Sequence, residues 1–125
     1  MIWHKNQIAA TAEELRHLAL IHEQPCCVCP PGWQPSPTEA HHMTLNGKRM
    51  GHLFTLPLCG YHHRGVLLTT LEVPEDFNYV CIADGKRDFE LEFGSQRQLW
   101  EALLGRLGLP VDIWPTSKIV PRRAV

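Results

Sequence analysis

Two pairs of metal-binding side chains stand out in this sequence of 125 residues, because two residues separate the members of each pair. Cys26 and Cys29 form the first pair, and Cys59 and His62 form the second. This spacing lets both members of a pair reach one tetrahedral ion, and three cysteines with one histidine make a complete zinc-binding set. The sequence therefore predicts a structural zinc ion held by these four residues. Cys27 is the alternative ligand if the first pair is Cys27 and Cys29.

The cysteine count agrees with metal binding rather than disulfides. The chain has five cysteines, which cannot all pair within one molecule, and we expect no signal peptide at its N-terminus. A reducing compartment is therefore expected, in which thiol-rich clusters bind zinc. Cys81 lies in an apolar segment and is predicted to be a buried core thiol.

Histidines cluster between and beside these pairs, where they could serve a second metal ion. His41 and His42 are adjacent in a predicted strand, so their side chains point to opposite faces. One imidazole can then ligate a metal while the other faces a different part of the cleft. His63, at a predicted helix start, is a candidate for a further metal ligand. Phosphodiester hydrolysis needs this combination, because a metal holds the scissile phosphate while a free imidazole activates water.

The charge pattern favours a local phosphate-binding face. The chain carries 13 acidic and 12 basic residues, a net charge of −1, which excludes bulk electrostatic attraction to nucleic acid. Residues 40–71 nevertheless contain no Asp or Glu, and Lys48, Arg49 and Arg64 fall there with five histidines. These three residues are candidate DNA contacts. The alternatives are solvated turn residues for Lys48 and Arg49, and a structural salt bridge for Arg64.

Helix and strand signals indicate which elements must position these side chains. Two capping boxes, Thr11 with Glu14 and Ser95 with Gln98, predict the starts of the first and last helices. The predicted elements are helices over 12–22, 62–70 and from Ser95 to 107, and strands over 38–44, 53–58 and 79–83. Residues 86–93 have two interpretations, because Phe89 and Phe93 are spaced like one face of a helix while residues 88–93 alternate like a strand, and we favour the helix. Asn46-Gly47 is a tight-turn signal between the first two strands.

The fold class expected from these elements is α+β, as a small, loop-rich, zinc-stabilised domain. Ten prolines and nine glycines predict many loops, and Pro57 marks the end or an edge position of its strand. Residues 1–109 are expected to form a single domain, with 110–125 as an extended C-terminal arm. The apolar runs, such as residues 18–21 and 79–83, are too short for a membrane helix.

Taken together, these motifs resemble the HNH endonucleases, also called His-Me finger or ββα-metal nucleases. The resemblance is strongest to the RecA-dependent recombination-enhancement (Ref) nucleases of phages, and it covers roughly residues 20–105. The matching segments are Cys26–Cys29, Glu39-Ala40-His41-His42, Leu56-Pro57-Leu58-Cys59-Gly60-Tyr61-His62-His63-Arg64, and Phe89, Phe93-Gly94-Ser95-Gln96 and Leu99.

The resemblance implies a ββα-metal core with flanking helices and assigns a role to each histidine of the motif. His42 would be the general base, and His41 and His63 would bind a catalytic metal, which could be magnesium, manganese, nickel or zinc. The family's middle Asn, which orients the base, is replaced here by Phe54. Asn46, His52 or a backbone carbonyl would have to substitute, and we expect the carbonyl.

His52 itself has two interpretations at this stage. It is either a structural histidine with its hydrogen bonds satisfied, which we favour, or a third metal ligand or partner of the base.

The function implied is a metal-dependent DNA endonuclease, with a RecA filament or D-loop as partner. The alternative is a zinc-stabilised nucleic-acid-binding module whose nuclease centre is degenerate. A Cys/His nucleophilic hydrolase is disfavoured, because zinc takes the cysteines that lie near histidines. We expect a monomer or weak dimer, without membrane association, in the cytoplasm of a bacterial or phage-infected cell.

Overall fold

The protein is a small α+β structure, seen in a computed structural model that describes residues 9–67 and 72–115. Its elements, in chain order, are helix α1 (Ala12–Glu23), strands β1 (Thr38–His42), β2 (Thr44–Leu45), β3 (Lys48–Arg49) and β4 (Thr55–Cys59), helix α2 (Gly60–Arg64), a 3-10 turn (Ile82–Asp84), and helices α3 (Lys86–Phe93) and α4 (Gln96–Leu107). Within the described residues, no helix is long and apolar enough to cross a bilayer.

Local capping signals set the starts of the two longest helices, as predicted. In α1 the Thr11 hydroxyl accepts from the Glu14 N–H at 3.0 Å, and the Glu14 carboxylate accepts from the Thr11 N–H at 2.9 Å. Ser95 and Gln98 make the same reciprocal pair at the start of α4. The helix predicted over 86–93 is also confirmed.

The β1–β4 pair carries the functional motifs. The two strands are antiparallel, with Thr38 opposite Cys59 and His42 opposite Thr55. Pro57 lies inside β4, and its carbonyl accepts the Cys27 N–H at 3.0 Å, so this side of its backbone faces away from β1. Because the missing N–H of proline is on that outer side, the predicted edge position is confirmed.

The second antiparallel pair, β2 and β3, forms the predicted tight hairpin. Asn46 and Gly47 both have positive φ, 56° and 80°, as a two-residue turn between twisted strands requires. The single strand predicted over 38–44 is interrupted at Met43. Its N–H donates to the Phe54 carbonyl and its carbonyl accepts from the Met50 N–H, which joins the hairpin to the chain before β4.

Two predicted elements differ from the structure. Helix α2 begins at Gly60, before the predicted start, and ends at Arg64, where Gly65 adopts φ 79°. Residues 68–70 of that predicted helix lie outside the described residues. The strand predicted over 79–83 is wrong, because its backbone groups have other partners. The Tyr79 carbonyl accepts from the Tyr61 hydroxyl, and the Val80 N–H donates to a side chain.

The core lies between β4 and helices α3 and α4. It includes Leu56, Leu58, Phe89, Trp100 and Leu104, all nearly inaccessible to solvent. Cys81 is also buried, as predicted.

The chain returns to this core after α4. The Trp114 ring lies 5.8 Å from Phe54 and 5.3 Å from Trp100, measured between ring centroids. The first part of the predicted C-terminal arm therefore packs on the domain, and residues 116–125 lie outside the described residues.

Candidate metal centres and active site

The four residues predicted as structural metal ligands lie together around one point. Their ligand atoms are all within 4.8 Å of one another. The Cys29 and Cys59 sulfurs are 3.7 Å apart, and three sulfurs lie 3.3 to 3.6 Å from His62 Nδ1. Bonds of about 2.3 Å to sulfur and 2.1 Å to nitrogen give separations of about 3.6 to 3.8 Å in a tetrahedral site. The cluster therefore fits a tetrahedral metal ion.

The junction of β4 and α2 positions two of these four residues, Cys59 and His62. Cys59 is the N-cap residue of α2, and its sulfur accepts the His62 N–H. His62 donates from Nε2 to the Asn78 carbonyl at 2.8 Å, which leaves Nδ1 with its lone pair toward the sulfurs. Hydrogen bonds from Cys26 and Cys29 lower the pKa of the Cys59 thiol, which favours the thiolate that a metal binds.

Cys27 is outside the cluster, so the alternative ligand assignment is wrong. Its backbone N–H bonds to Pro57, and burial raises the pKa of its thiol to about 12. A C-x-C pair would require this side chain to turn inward, where Cys26 already lies.

His41 and His63 face each other in a shallow cleft beside α2. Their ring centroids are 5.3 Å apart, with the rings inclined at 73°. The cleft has a volume of about 330 Å³, and its lining includes Thr44, Lys86 and Gln96. Among the residues that the structure describes, no carboxylate lines the cleft, and Lys86 is its charged side chain. Such a lining suits an anion.

Each of these two histidines has one nitrogen held by a neighbouring side chain. His63 donates from Nδ1 to Glu39 Oε1 at 2.7 Å, and His41 donates from Nε2 to Gln96 Oε1 at 2.9 Å. Nδ1 of His41 and Nε2 of His63 consequently keep their lone pairs. Burial lowers the pKa of His41, and the positive charge of Lys86 acts in the same direction, which favours a neutral imidazole.

Glu39, in β1, is joined to helix α2 through its carboxylate. It accepts two hydrogen bonds from Arg64, at 2.9 and 2.7 Å, in addition to the one from His63. The Arg64 guanidinium holds the pKa of Glu39 below its usual value. Arg64 thus forms the salt bridge that was one of its two interpretations.

Gln96 is buried at the start of α4, and its orientation is set by Glu90. The Glu90 carboxylate accepts from the Gln96 backbone N–H at 3.0 Å and from its amide nitrogen at 3.3 Å. The amide oxygen must then face His41. Sequence reasoning missed this role, because a glutamine after an N-cap serine has no periodicity that separates it from an exposed residue.

His42 points away from His41, as strand alternation predicts. Its Nε2 lies 3.0 Å from His52 Nδ1, so the backbone carbonyl expected as its partner is wrong. Burial, followed by the nearby charge of Arg49, lowers the pKa of His42 to about 4 and keeps the ring neutral at neutral pH. Lys48 and Arg49 are both exposed on β3.

Comparison with known proteins identifies the family. The family described as "Recombination enhancement, RecA-dependent nuclease" matches residues 10–107. The chain belongs to this family. The match spans helices α1 to α4, the Cys3His cluster and the histidine cleft, and the family description names an enzyme that acts on nucleic acid. No curated protein and no solved structure matches the chain.

Proposed function

We propose that the protein is a metal-dependent DNA endonuclease of the HNH type, which hydrolyses phosphodiester bonds. The observation that carries the proposal is the cleft in which His41 and His63 face each other. Gln96 holds one ring nitrogen of His41, and Glu39 holds one ring nitrogen of His63, which leaves the second nitrogen of each ring for a metal. A histidine that ligates a metal is commonly oriented by a carboxylate or a carbonyl oxygen that accepts a hydrogen bond from its other nitrogen. The order of β1, β4 and α2 supports a ββα-metal core.

The spacing of the two rings fits a shared ion. Two imidazoles bound to one ion at about 2.1 Å and at a tetrahedral angle have centroids about 5 Å apart, and the observed separation is 5.3 Å. Two neutral imidazoles accept magnesium, manganese, nickel or zinc. When bound, the ion would supply a Lewis acid for the phosphate and its leaving oxygen.

The remaining chemistry falls to side chains of this chain. His42 would act as the general base, since its neutral ring can accept a proton from water. Lys86, at the rim of the cleft, would contact a phosphate oxygen, and Lys48 and Arg49 would hold the DNA backbone. Arg64 would reach DNA only by sharing its guanidinium with Glu39.

For the Cys3His cluster we propose a structural zinc ion. Four protein ligands complete its tetrahedral shell and leave no open position for a substrate. Three thiolates with one imidazole are the donor set that selects zinc over magnesium or calcium.

We further propose a RecA filament or D-loop as the setting of cleavage, in the cytoplasm of a bacterial or phage-infected cell. The family description supports RecA dependence. The net charge of −1 supports weak intrinsic DNA affinity and hence delivery by a partner.

The test is cleavage of supercoiled plasmid and single-stranded DNA by zinc-loaded protein, with a panel of divalent metals and with or without RecA. His42→Ala should reduce cleavage by about 100- to 10,000-fold, the usual contribution of a general base, and should retain zinc content and DNA binding. His22→Ala is the matched control, because this exposed histidine of α1 belongs to neither the Cys3His cluster nor the histidine cleft, and its ring bonds to the backbone carbonyl of Thr38.

Two outcomes would count against the proposal. If the parent protein binds DNA without metal-dependent cleavage under every condition, the zinc-stabilised binding module is the better assignment. If His42→Ala cleaves at the parent rate, the enzyme uses another base.

A further inference from the structure

The base proposed above requires a partner for its second ring nitrogen. A neutral imidazole can accept a proton from water at one nitrogen only when the other carries hydrogen, so the tautomer decides whether the base works. In His42, Nε2 is the nitrogen with a partner, at 3.0 Å from His52 Nδ1. Nδ1 of His42 is therefore the nitrogen left for water.

Phe54, which replaces the family's middle Asn, packs against other aromatic rings and cannot orient His42. Phe54 stacks on Trp100, with ring centroids 5.2 Å apart and an interplanar angle of 22°, and packs against Trp114 at 5.8 Å. It packs against the core, and its side chain has no hydrogen-bonding group. Asn46 occupies the hairpin turn with φ 56° and is exposed. Of the substitutes considered, only His52 bonds to His42.

The backbone around His52 holds its ring against β1. The Phe54 N–H donates to the Gly51 carbonyl at 3.1 Å, and the Thr55 hydroxyl donates to the His52 carbonyl at 3.2 Å. Gly51 has φ 113°, a conformation that side chains rarely adopt. Thr55 is fully buried and lies opposite His42 in the β1–β4 register. The backbone of His52 is thus held by Thr55, the residue that lies opposite His42 in the β1–β4 pair.

We propose that His52 is a positioning residue for the nuclease reaction, which holds His42 in the Nε2–H tautomer. The inference rests on the proposed function. In this arrangement His42 donates from Nε2 to the lone pair of His52 Nδ1, and His52 carries its own proton on Nε2.

The proton and electron balance of the step is simple. A water O–H bond breaks, its proton goes to His42 Nδ1, and the oxygen forms a bond to phosphorus. The bond from phosphorus to the leaving oxygen breaks, and that oxygen takes a proton from solvent. His42 is then an imidazolium whose Nε2–H bond to His52 strengthens, because charge-assisted hydrogen bonds are stronger than neutral ones. His42 returns its proton to solvent.

Two substitutions separate positioning from a structural role. In His52→Asn the amide Oδ1 follows Cγ, as Nδ1 does in histidine, and so retains an acceptor at that place. His52→Leu keeps similar bulk but removes the acceptor. We expect kcat for DNA cleavage to fall by at least about 10-fold in His52→Leu, a part of what a general base contributes. KM should stay near the parent value, and His52→Asn should recover most of kcat.

A second measurement reads the tautomer directly and does not need activity. Nitrogen-15 spectra of histidine-labelled parent protein, zinc-loaded and at neutral pH, should show His42 with hydrogen on Nε2 and His52 with a bare Nδ1. In His52→Leu, His42 should become a mixture of both tautomers.

Three results would overturn the inference. One is an unchanged kcat in His52→Leu, and another is an equal loss in the Asn and Leu variants. The third is a parent His42 that carries its hydrogen on Nδ1, which decides the matter even if a variant fails to fold. A parent protein without cleavage would contradict the proposed function, and the tautomer measurement would still test His52 separately.

Discussion

The Cys3His cluster and the histidine cleft each take one histidine from helix α2, yet they are built in different ways. The cluster takes all of its ligands from two short pairs, and its four donor atoms are within 4.8 Å of one another. The cleft brings together residues from β1, α2, α3 and the start of α4. Closed coordination suits a structural ion, whereas an open cleft with few protein ligands leaves room for a substrate.

The two regions also differ in what holds their histidines. His62, in the cluster, donates to a backbone carbonyl, and its position follows from the cap of α2. His41 and His63, in the cleft, donate to side chains of Gln96 and Glu39. The cleft therefore depends on long-range side-chain contacts. Substitutions should disturb folding in the first region and metal affinity in the second.

The largest effect is expected from Cys59→Ser. Removing one thiolate from a closed zinc site should release the ion, and structural zinc can contribute about 10 kcal/mol or more to folding in small domains. We expect loss of the zinc equivalent and of the cooperative unfolding transition, measured by metal analysis and circular dichroism. Cys27→Ala is the matched control and should keep its zinc, because Cys27 lies outside the cluster. A folded Cys59→Ser protein with a full zinc equivalent would show that the cluster is not the zinc site.

A smaller effect is expected in the cleft. His41→Ala and His63→Ala should weaken binding of the catalytic metal without loss of the structural zinc, and high metal concentration should restore part of the cleavage. Gln96→Leu should act in the same direction, by about 10- to 100-fold in metal affinity, as substitutions behind a ligating histidine do. Titration of the zinc-loaded protein with manganese measures metal affinity by calorimetry, and the cleavage rate along the same titration measures how much activity is restored. Parent-like metal affinity in all three variants would remove the cleft from the mechanism.

The smallest effect concerns His17, a histidine of α1 that belongs to neither region. Its Nε2 is buried without a hydrogen-bond partner in the described part of the chain, and burial lowers its pKa from 6.5. The unfolded chain therefore binds a proton more readily than the folded one below pH 6.5, so stability falls as the pH drops through that value. His17→Leu should reduce this loss relative to the parent, measured by denaturant unfolding at pH 7.0 and 5.5. An identical pH dependence in both proteins would contradict the assignment.

Several features could be predicted from the sequence because their causes are local. Thr11 and Ser95 cap helices through residues three positions later, and Asn46-Gly47 closes a turn through its own backbone preferences. Errors arose where a backbone group bonds to a side chain instead of to a neighbouring strand. The apolar segment 79–83 looks like a strand, but the Tyr61 hydroxyl and the Asn78 side chain take its hydrogen-bonding groups.

By itself, the sequence determined which residues form the Cys3His cluster and that His41 and His42 point in opposite directions. Both follow from short spacings, which fix how far a side chain can reach and to which face of a strand it points. Only the tertiary structure decided the partners of the histidines: Glu39 for His63, Gln96 for His41 and His52 for His42. These contacts span 10 to 55 residues. A hydrogen bond across such distances depends on how strands and helices pack, which no local spacing encodes.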